Sequence, residues 1–405
     1  MGFKKRKVGF FIVFIGILLA IKAYRSSQGS ALIEATEVVP VKPKVLSKQL
    51  SGPLPLPVSA EHNFLQGTLE EISFPVQYTG DCYNERITRY GTLLRVPNAR
   101  ATIVVCHGFM CDKRDVGIIR MLFRWSKYPY NIMTFDFRGH GERCAEQKCT
   151  MGKNEPYDIK GAVRYLKSNP ALAKLPLLAY GFSMGAVSLI EAQAKFDNLF
   201  DALLLDCPFD ATTTVLKRVL ERLRIRILGY ELGLPAQNFF NKYVFNEYIQ
   251  SCVKFFLRSS SKFDTQNVDL SISPVTPAES ARAITVPAYI ITCSNDEKVP
   301  VESVKAVYDN LTGYKRLWVT NGRRHFDSFF YNPEEYTYRV VDFVERFLEG
   351  ALEKDEQEGV VYDQPDNHTL SIAAYRAEKD AARKKAVRNQ NEQILIEEIE
   401  ESSDE

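Results

Sequence analysis

Leu175-Pro-Leu-Leu-Ala-Tyr-Gly-Phe-Ser-Met-Gly-Ala-Val-Ser-Leu-Ile-Glu-Ala-Gln-Ala194 is the stretch that decides the fold. Its first six residues form an apolar run of strand character, and Ala186 onward reads as a helix. Gly181-Phe-Ser-Met-Gly185 must therefore turn the chain sharply from one into the other. A serine hydroxyl is a weak nucleophile, and a tight strand-to-helix turn lifts it clear of the backbone to where a base can reach it. The glycines flanking Ser183 let strand and helix pass close to it, where a side chain would clash. The competing reading, an incidental glycine-rich turn, does not account for both a readable strand before the serine and a readable helix after it.

A serine elbow of this kind predicts its partners by chain order: an acid next, then a histidine near the end of the domain. Val286-Pro-Ala-Tyr-Ile-Ile-Thr292 reads as a buried strand, and the loop leaving it, Cys293 to Pro300, offers Asp296 as the orienting carboxylate. The next strand, Lys315 to Thr320, runs into Asn321-Gly-Arg-Arg-His-Phe-Asp327, which places His325 on a loop before a helix starting near Pro333. The chain has five histidines, and only His325 and His368 follow both Ser183 and Asp296. His368 sits in a polar tail.

Each residue also has a plainer reading. Asp296 can serve as a turn or N-cap aspartate, and Glu297 is a weaker neighbour for the same role. Asp206 closes the apolar run Asp201-Ala-Leu-Leu-Leu-Asp206 and offers the acid from the adjacent strand end. His325 can be a surface loop histidine, and His140, in Asp136-Phe-Arg-Gly-His-Gly141, reads as a turn residue. Attack on a carbonyl further requires donors for the developing oxyanion, which backbone N–H groups supply with little reorganisation. His107-Gly-Phe109 follows the strand Ala101 to Cys106, so the expected donors are the N–H groups of Phe109 and of Met184. His107 then shapes the loop without ionising.

His107-Gly-Phe, Asp136-Phe-Arg-Gly-His-Gly, Gly-Phe-Ser183-Met-Gly, Asp296 with Val299-Pro300, and His325 together resemble the α/β-hydrolase superfamily over roughly residues 68–350. Within it the set is most similar to the serine aminopeptidase-like branch, which includes monoglyceride lipases and feruloyl-type esterases. The resemblance implies an α/β fold with a mostly parallel sheet, helices on both faces and a helical cap inserted after the sixth strand. It also implies a serine hydrolase with Ser183 as nucleophile, His325 as base and Asp296 as orienting acid. The activity it points to first is carboxylic ester hydrolysis of a small-molecule or lipid-like acyl substrate; peptidase and acyl-protein thioesterase are the alternatives, and a non-enzymatic binding module is disfavoured. Arg323-Arg324 departs from the small residues usual before this histidine. Two cations there oppose an imidazolium unless they point outward or bind an acidic substrate group.

The chain's 405 residues, 45% of them hydrophobic, suffice for one large α/β domain with appendages. A net charge of +2 hides a basic first thirty residues and an acidic tail. The basic residues flank an apolar segment and do not interleave with aromatics on a face, so no nucleic-acid partner is expected. Lys4-Lys-Arg-Lys7 followed by the apolar residues 8–21 has the form of an export signal and predicts a signal anchor within 1–25, with a signal peptide cleaved near Gly29-Ser-Ala31 as the alternative. With the cations kept inside, the membrane helix would place the catalytic domain outside the cytoplasm, whether periplasmic, extracellular or lumenal. A proline-rich linker spans 26–67, the hydrolase domain 68–350 with a cap at 209–285, and a charged tail 351–405.

In the cap, Leu216, Val219, Leu220, Leu223 and Ile227 recur at helical spacing among basic residues, and the run from Phe239 to Phe256 is rich in aromatics. The first reads as a basic face on a cap helix or as a lid touching lipid, the second as cap core with a share in an acyl or aryl pocket. Eight cysteines in an exported chain suggest disulfides, with Cys144 and Cys149 the nearest pair. No cysteine or histidine spacing fits a zinc site and no dinucleotide glycine pattern occurs, so no cofactor or metal is expected.

Overall fold

The computed structural model describes residues 67–77, 86–141, 147–197, 199–222, 224–227, 230–233, 243, 245, 246, 248, 250, 269–322, 324–352 and 360–363. Strands β1 (Thr68–Gln77) and β2 (Arg86–Arg95) form an antiparallel entry hairpin. Then follow β3 (Ala101–Cys106), α1 (Val116–Trp125), β4 (Tyr130–Phe135), the two-residue β5 (Lys148–Cys149), α2 (Glu155–Ser168), β6 (Leu177–Phe182), α3 (Met184–Lys195) and β7 (Ala202–Asp206). The insertion after β7 contains α4 (Thr212–Arg222), the hairpin β8 (Arg224–Ile227) and β9 (Tyr230–Gly233), and β10 (Asp269–Leu270). The chain then returns through α5 (Pro277–Ser280), β11 (Ala288–Cys293), α6 (Val301–Asn310), β12 (Lys315–Thr320), α7 (Asp327–Tyr331), α8 (Pro333–Leu348) and β13 (Val360–Tyr362).

Nine strands make one sheet in the order β1-β2-β4-β3-β6-β7-β11-β12-β13, parallel from β4 onward. β3, β4, β6, β7 and β11 are buried along their whole length, as strands covered on both faces must be. Alternate residues serve the two faces. Ile103, Val105, Leu178, Tyr180, Leu204, Ile291 and Trp318 pack with Ile118, Met121 and Trp125 of α1 and Tyr336, Val340 and Val344 of α8. α2, α3 and α6 cover the opposite face. Strand order reverses at β3, so the loops leaving β3 and β6 flank a crevice at the carboxyl edge of the sheet, where open α/β sheets bind ligands.

Several expectations need correcting. Among the described residues no helix is long and apolar enough to cross a membrane. The transmembrane signal anchor, and with it the extracytoplasmic placement of the domain, does not stand. Residues 8–21 would reach only about 21 Å as a helix, against a hydrocarbon core of roughly 30 Å. That segment and the proline-rich stretch lie outside the described residues. In the insertion, the single helix expected to reach Ile227 ends at Arg222, and Ile227 pairs with Tyr230 in a hairpin. Arg224-Ile-Arg-Ile227 alternates with period two, and its apolar positions fit a strand as well as a helix. Cys149 is a buried free thiol whose sulfur lies 3.4 Å from Met184 Sδ, so it forms no disulfide; Cys144 lies outside the described residues. The aromatic residues Phe239, Phe240, Phe255 and Phe256 lie outside them too. The sheet also continues past residue 350: β13 pairs with β12, and Asp363 accepts from Trp318 Nε1 at 2.8 Å.

One buried ion cluster ties the entry hairpin to the sheet. Asp158 of α2 is wholly buried and meets Arg89 Nε at 3.0 Å and Arg138 Nε and Nη2 at 3.0 and 2.9 Å. Burial by itself would raise the Asp158 carboxyl, yet Arg138 and then Arg89 hold it below the usual range. Asp158→Asn leaves two buried guanidinium groups without their countercharge, a change expected to cost about 3–5 kcal/mol in chemical denaturation. Because the folded pKa is depressed, this stabilisation is present above the unfolded value near ~4 and is lost as pH falls through the lower folded value. The wild type should therefore lose stability on acidification over that window, and Asp158→Asn should show a flatter profile there.

Candidate active site

Ser183 is held at φ 51°, ψ −113°, between the last residue of β6 and the first of α3. A non-glycine residue rarely takes positive φ, and two backbone bonds fix it here: Ser183 N donates to Asp206 O at 2.7 Å, and Val187 N donates to Ser183 O at 3.0 Å. The close approach that the flanking glycines allow is literal. A Cβ on Gly185 would lie 2.1 Å from Cys106 O, and one on Gly181 would lie 2.6 Å from Ala186 N.

His325 stands on the loop between β12 and α7. Its Nε2 is 2.9 Å from Ser183 Oγ and its Nδ1 is 2.6 Å from Asp296 Oδ2. The other Asp296 oxygen accepts the N–H groups of Lys298 at 2.9 Å and Val299 at 3.0 Å. One carboxylate oxygen is thus locked to the backbone and the other is left for the imidazole. Burial would raise the Asp296 carboxyl, but the bond to His325 and the two backbone donors bring it below the ordinary carboxylate range. Phe182 packs against the His325 ring at 5.0 Å and lies tilted against Phe326 at 3.9 Å between centroids, which walls the imidazole on one side. The structure thus brings Ser183, His325 and Asp296 into one hydrogen-bonded row. Arg324, beside His325, points outward and is 82% exposed; Arg323 lies outside the described residues.

Asp206 is not part of that row. Its Oδ2 accepts Tyr336 OH at 2.6 Å and Tyr180 OH at 3.3 Å, on the far side of the strand end. Burial pushes its carboxyl up to about 6. Its backbone carbonyl is what touches the site, through Ser183 N.

The loop after β3 is tied down by two neutral histidines. His107 Nε2 accepts Phe137 N–H at 3.0 Å, so Nδ1 carries the proton and donates to Gly108 O at 2.8 Å. His140 Nε2 accepts Met110 N–H at 3.2 Å, and its Nδ1 donates to Arg138 O at 2.9 Å. Burial lowers these imidazoles to about 4 and about 3, so both are uncharged at neutral pH. Asp136 Oδ1 anchors the same loop further along by accepting Lys113 N–H at 2.8 Å. Phe109 lies between these fixed points. Met184 N–H is one of the first-turn amides that a helix leaves without an intrahelical acceptor. A polar cleft of about 480 Å³ opens beside the loop between Glu71, Tyr90, Lys113, Arg114 and Asp136; Ser183, Asp296 and His325 do not line it.

The sequence matches no family model. It is 26% identical over 256 residues to the uncharacterised protein YqkD of Bacillus subtilis strain 168, spanning 63% of this chain and 73% of that one. The Pyrococcus furiosus esterase Pf2001 superposes with a TM-score of 0.53 at 22% identity, covering 72% of this chain and 98% of its own. The α/β hydrolase GrgF from Penicillium sp. sh18 superposes with a TM-score of 0.50 at 17% identity, covering 70% of this chain and 99% of its own. The chain has the α/β-hydrolase fold.

Within that α/β-hydrolase fold, three supporting features were not legible in the chain. His140, read as a turn residue, holds Met110 through its imidazole; its closeness in sequence to Asp136 was the only signal available. Glu155 caps the turn before α2, accepting from the N–H groups of Thr150 at 2.7 Å and Gly152 at 2.8 Å. Cys207, directly after β7, takes φ 50°.

Proposed function

We propose that this chain is a serine hydrolase that cleaves carboxylic esters through an acyl-enzyme. The observation that carries the reading is the row Ser183 Oγ, His325 Nε2, His325 Nδ1, Asp296 Oδ2, with spacings of 2.9 and 2.6 Å on a strained elbow. Ser183 Oγ attacks the ester carbonyl carbon while its proton passes to His325 Nε2. Asp296 keeps the Nδ1–H tautomer and stabilises the imidazolium that forms. The N–H groups of Phe109 and Met184 receive the oxyanion. When the tetrahedral species collapses, the alcohol leaves with the proton from His325. A water molecule then gives its proton to the same nitrogen and attacks the acyl-serine, which releases the acid and restores Ser183.

The printed description of Pf2001 as an esterase favours ester over peptide as substrate. p-Nitrophenyl esters of increasing acyl length, assayed beside aminoacyl nitroanilides and an acyl thioester, test this. The expected result is turnover of the esters with nitroanilide cleavage far slower. Preferential nitroanilide cleavage would make the chain a peptidase, preferential thioester cleavage a thioesterase, and inertness to all three would overturn the enzymatic reading.

A further inference from the structure

Cys207 has no part in the chemistry just described, yet its position is close to it. Cys207 Sγ, a carboxylate oxygen of Asp296 and a ring nitrogen of His325 all lie within 4.8 Å of one another. The three come from three different loops, after β7, after β11 and after β12, so no ligand spacing in the sequence announces them. Positive φ at Cys207 and the bond from its N–H to Ile291 O at 2.9 Å fix the turn that holds its sulfur there. We infer that Cys207, Asp296 and His325 form an inhibitory binding site for a thiophilic divalent cation, with zinc as the fitting ion.

Thiolate, imidazole and carboxylate are the donors that zinc takes, and sites open to solvent or substrate hold it by three protein ligands with a fourth position left open. Tetrahedral zinc needs its donors about 3.3–3.8 Å apart. Two changes achieve this: the sulfur closes in by about an ångström or less, and the 2.6 Å contact between His325 Nδ1 and Asp296 Oδ2 opens by a similar amount. Asp296 Oδ1 keeps its two backbone donors throughout, so the carboxylate stays anchored while Oδ2 turns to the metal. Binding breaks the Cys207 S–H bond, forms S–Zn and releases that proton to solvent; nothing is oxidised or reduced. Zinc on Nδ1 moves the imidazole proton to Nε2, which then cannot accept from Ser183. Hard cations such as magnesium, which prefer all-oxygen sites, are not held by a thiol and an imidazole.

The inhibitory part of the inference rests on His325 acting as base for Ser183; the binding part does not. Zinc titrated into the full chain should inhibit ester hydrolysis, chelator should restore it, and magnesium should have no effect. With each protein scaled to its own metal-free rate, Cys207→Ser should raise the half-inhibiting zinc concentration by about 100-fold, at or beyond the upper end of what loss of a supporting partner costs a metal site. Cobalt(II) titrated into wild type and into Ser183→Ala should in both give one equivalent of thiolate-to-metal charge-transfer absorption, which Cys207→Ser abolishes and Cys293→Ser keeps. Equal zinc sensitivity of wild type and Cys207→Ser, or no such absorption in the wild type, overturns the site whether or not the serine variant folds. Cobalt binding in a chain that hydrolyses no ester would instead leave the site standing and remove the esterase reading.

Discussion

Ser183→Ala is expected to lower ester hydrolysis by about 10⁶-fold and to abolish labelling by a fluorophosphonate, with the fold intact. Loss of the hydroxyl removes the atom that lies 2.9 Å from His325 Nε2. Alanine takes up less space and keeps the N–H bonded to Asp206 O, so the variant should match the wild type in circular dichroism and denaturation. Residual turnover should be the 10³–10⁴-fold that oxyanion donors and binding supply without a nucleophile. The measurement is active-site labelling read by peptide mass together with p-nitrophenyl ester kinetics. Label recovered on another residue of Ser183→Ala would remove Ser183 from the role.

How far the sequence led can be traced residue by residue. β3, β6, β7, β11 and β12 were readable because both faces are covered, which leaves short uninterrupted apolar runs bounded by turn residues. β6 runs two residues further than its apolar run suggests, because Gly181 and Phe182 continue the strand to the edge of the elbow. The elbow was legible because glycine is obligatory where Gly185 meets the Cys106 carbonyl. β13 was not, since Val360-Val-Tyr362 is three residues inside an acidic stretch and its pairing depends on the outer edge of β12. The insertion failed at Arg224, where period two and period 3.6 fit the same apolar positions. The membrane reading failed because charge followed by apolar residues is a pattern of composition, and length must decide between a span and a shorter apolar segment. Cys207 and His140 act through space between loops, and one chain without its fold carries no record of such neighbours.

Asp296→Asn and Asp206→Asn separate the two candidate acids. In Asp296→Asn the amide oxygen can keep the bonds from Lys298 and Val299, and its NH₂ then faces His325 Nδ1. That nitrogen must accept, the ring proton moves to Nε2, and the base can no longer take the proton of Ser183. The expected loss in kcat is about 10⁴-fold with little change in stability. In Asp206→Asn the side-chain oxygen still accepts from Tyr336 and Tyr180, and Ser183 N still has the Asp206 carbonyl, so kcat should stay within about tenfold of wild type, or 1.4 kcal/mol. The second variant should instead change the pH profile of stability. Burial raises the Asp206 carboxyl to about 6 in the folded chain, above an unfolded value near ~3.9. The folded state holds this proton more tightly, so the contribution is full below about 4 and lost as pH rises through about 6. Asparagine has no proton to lose. Denaturation midpoints of Asp206→Asn should therefore fall less than those of wild type between pH 4 and about 6. A 10⁴-fold loss in Asp206→Asn with near-normal turnover in Asp296→Asn would assign the acid to β7 and leave the 2.6 Å contact at His325 without a catalytic part.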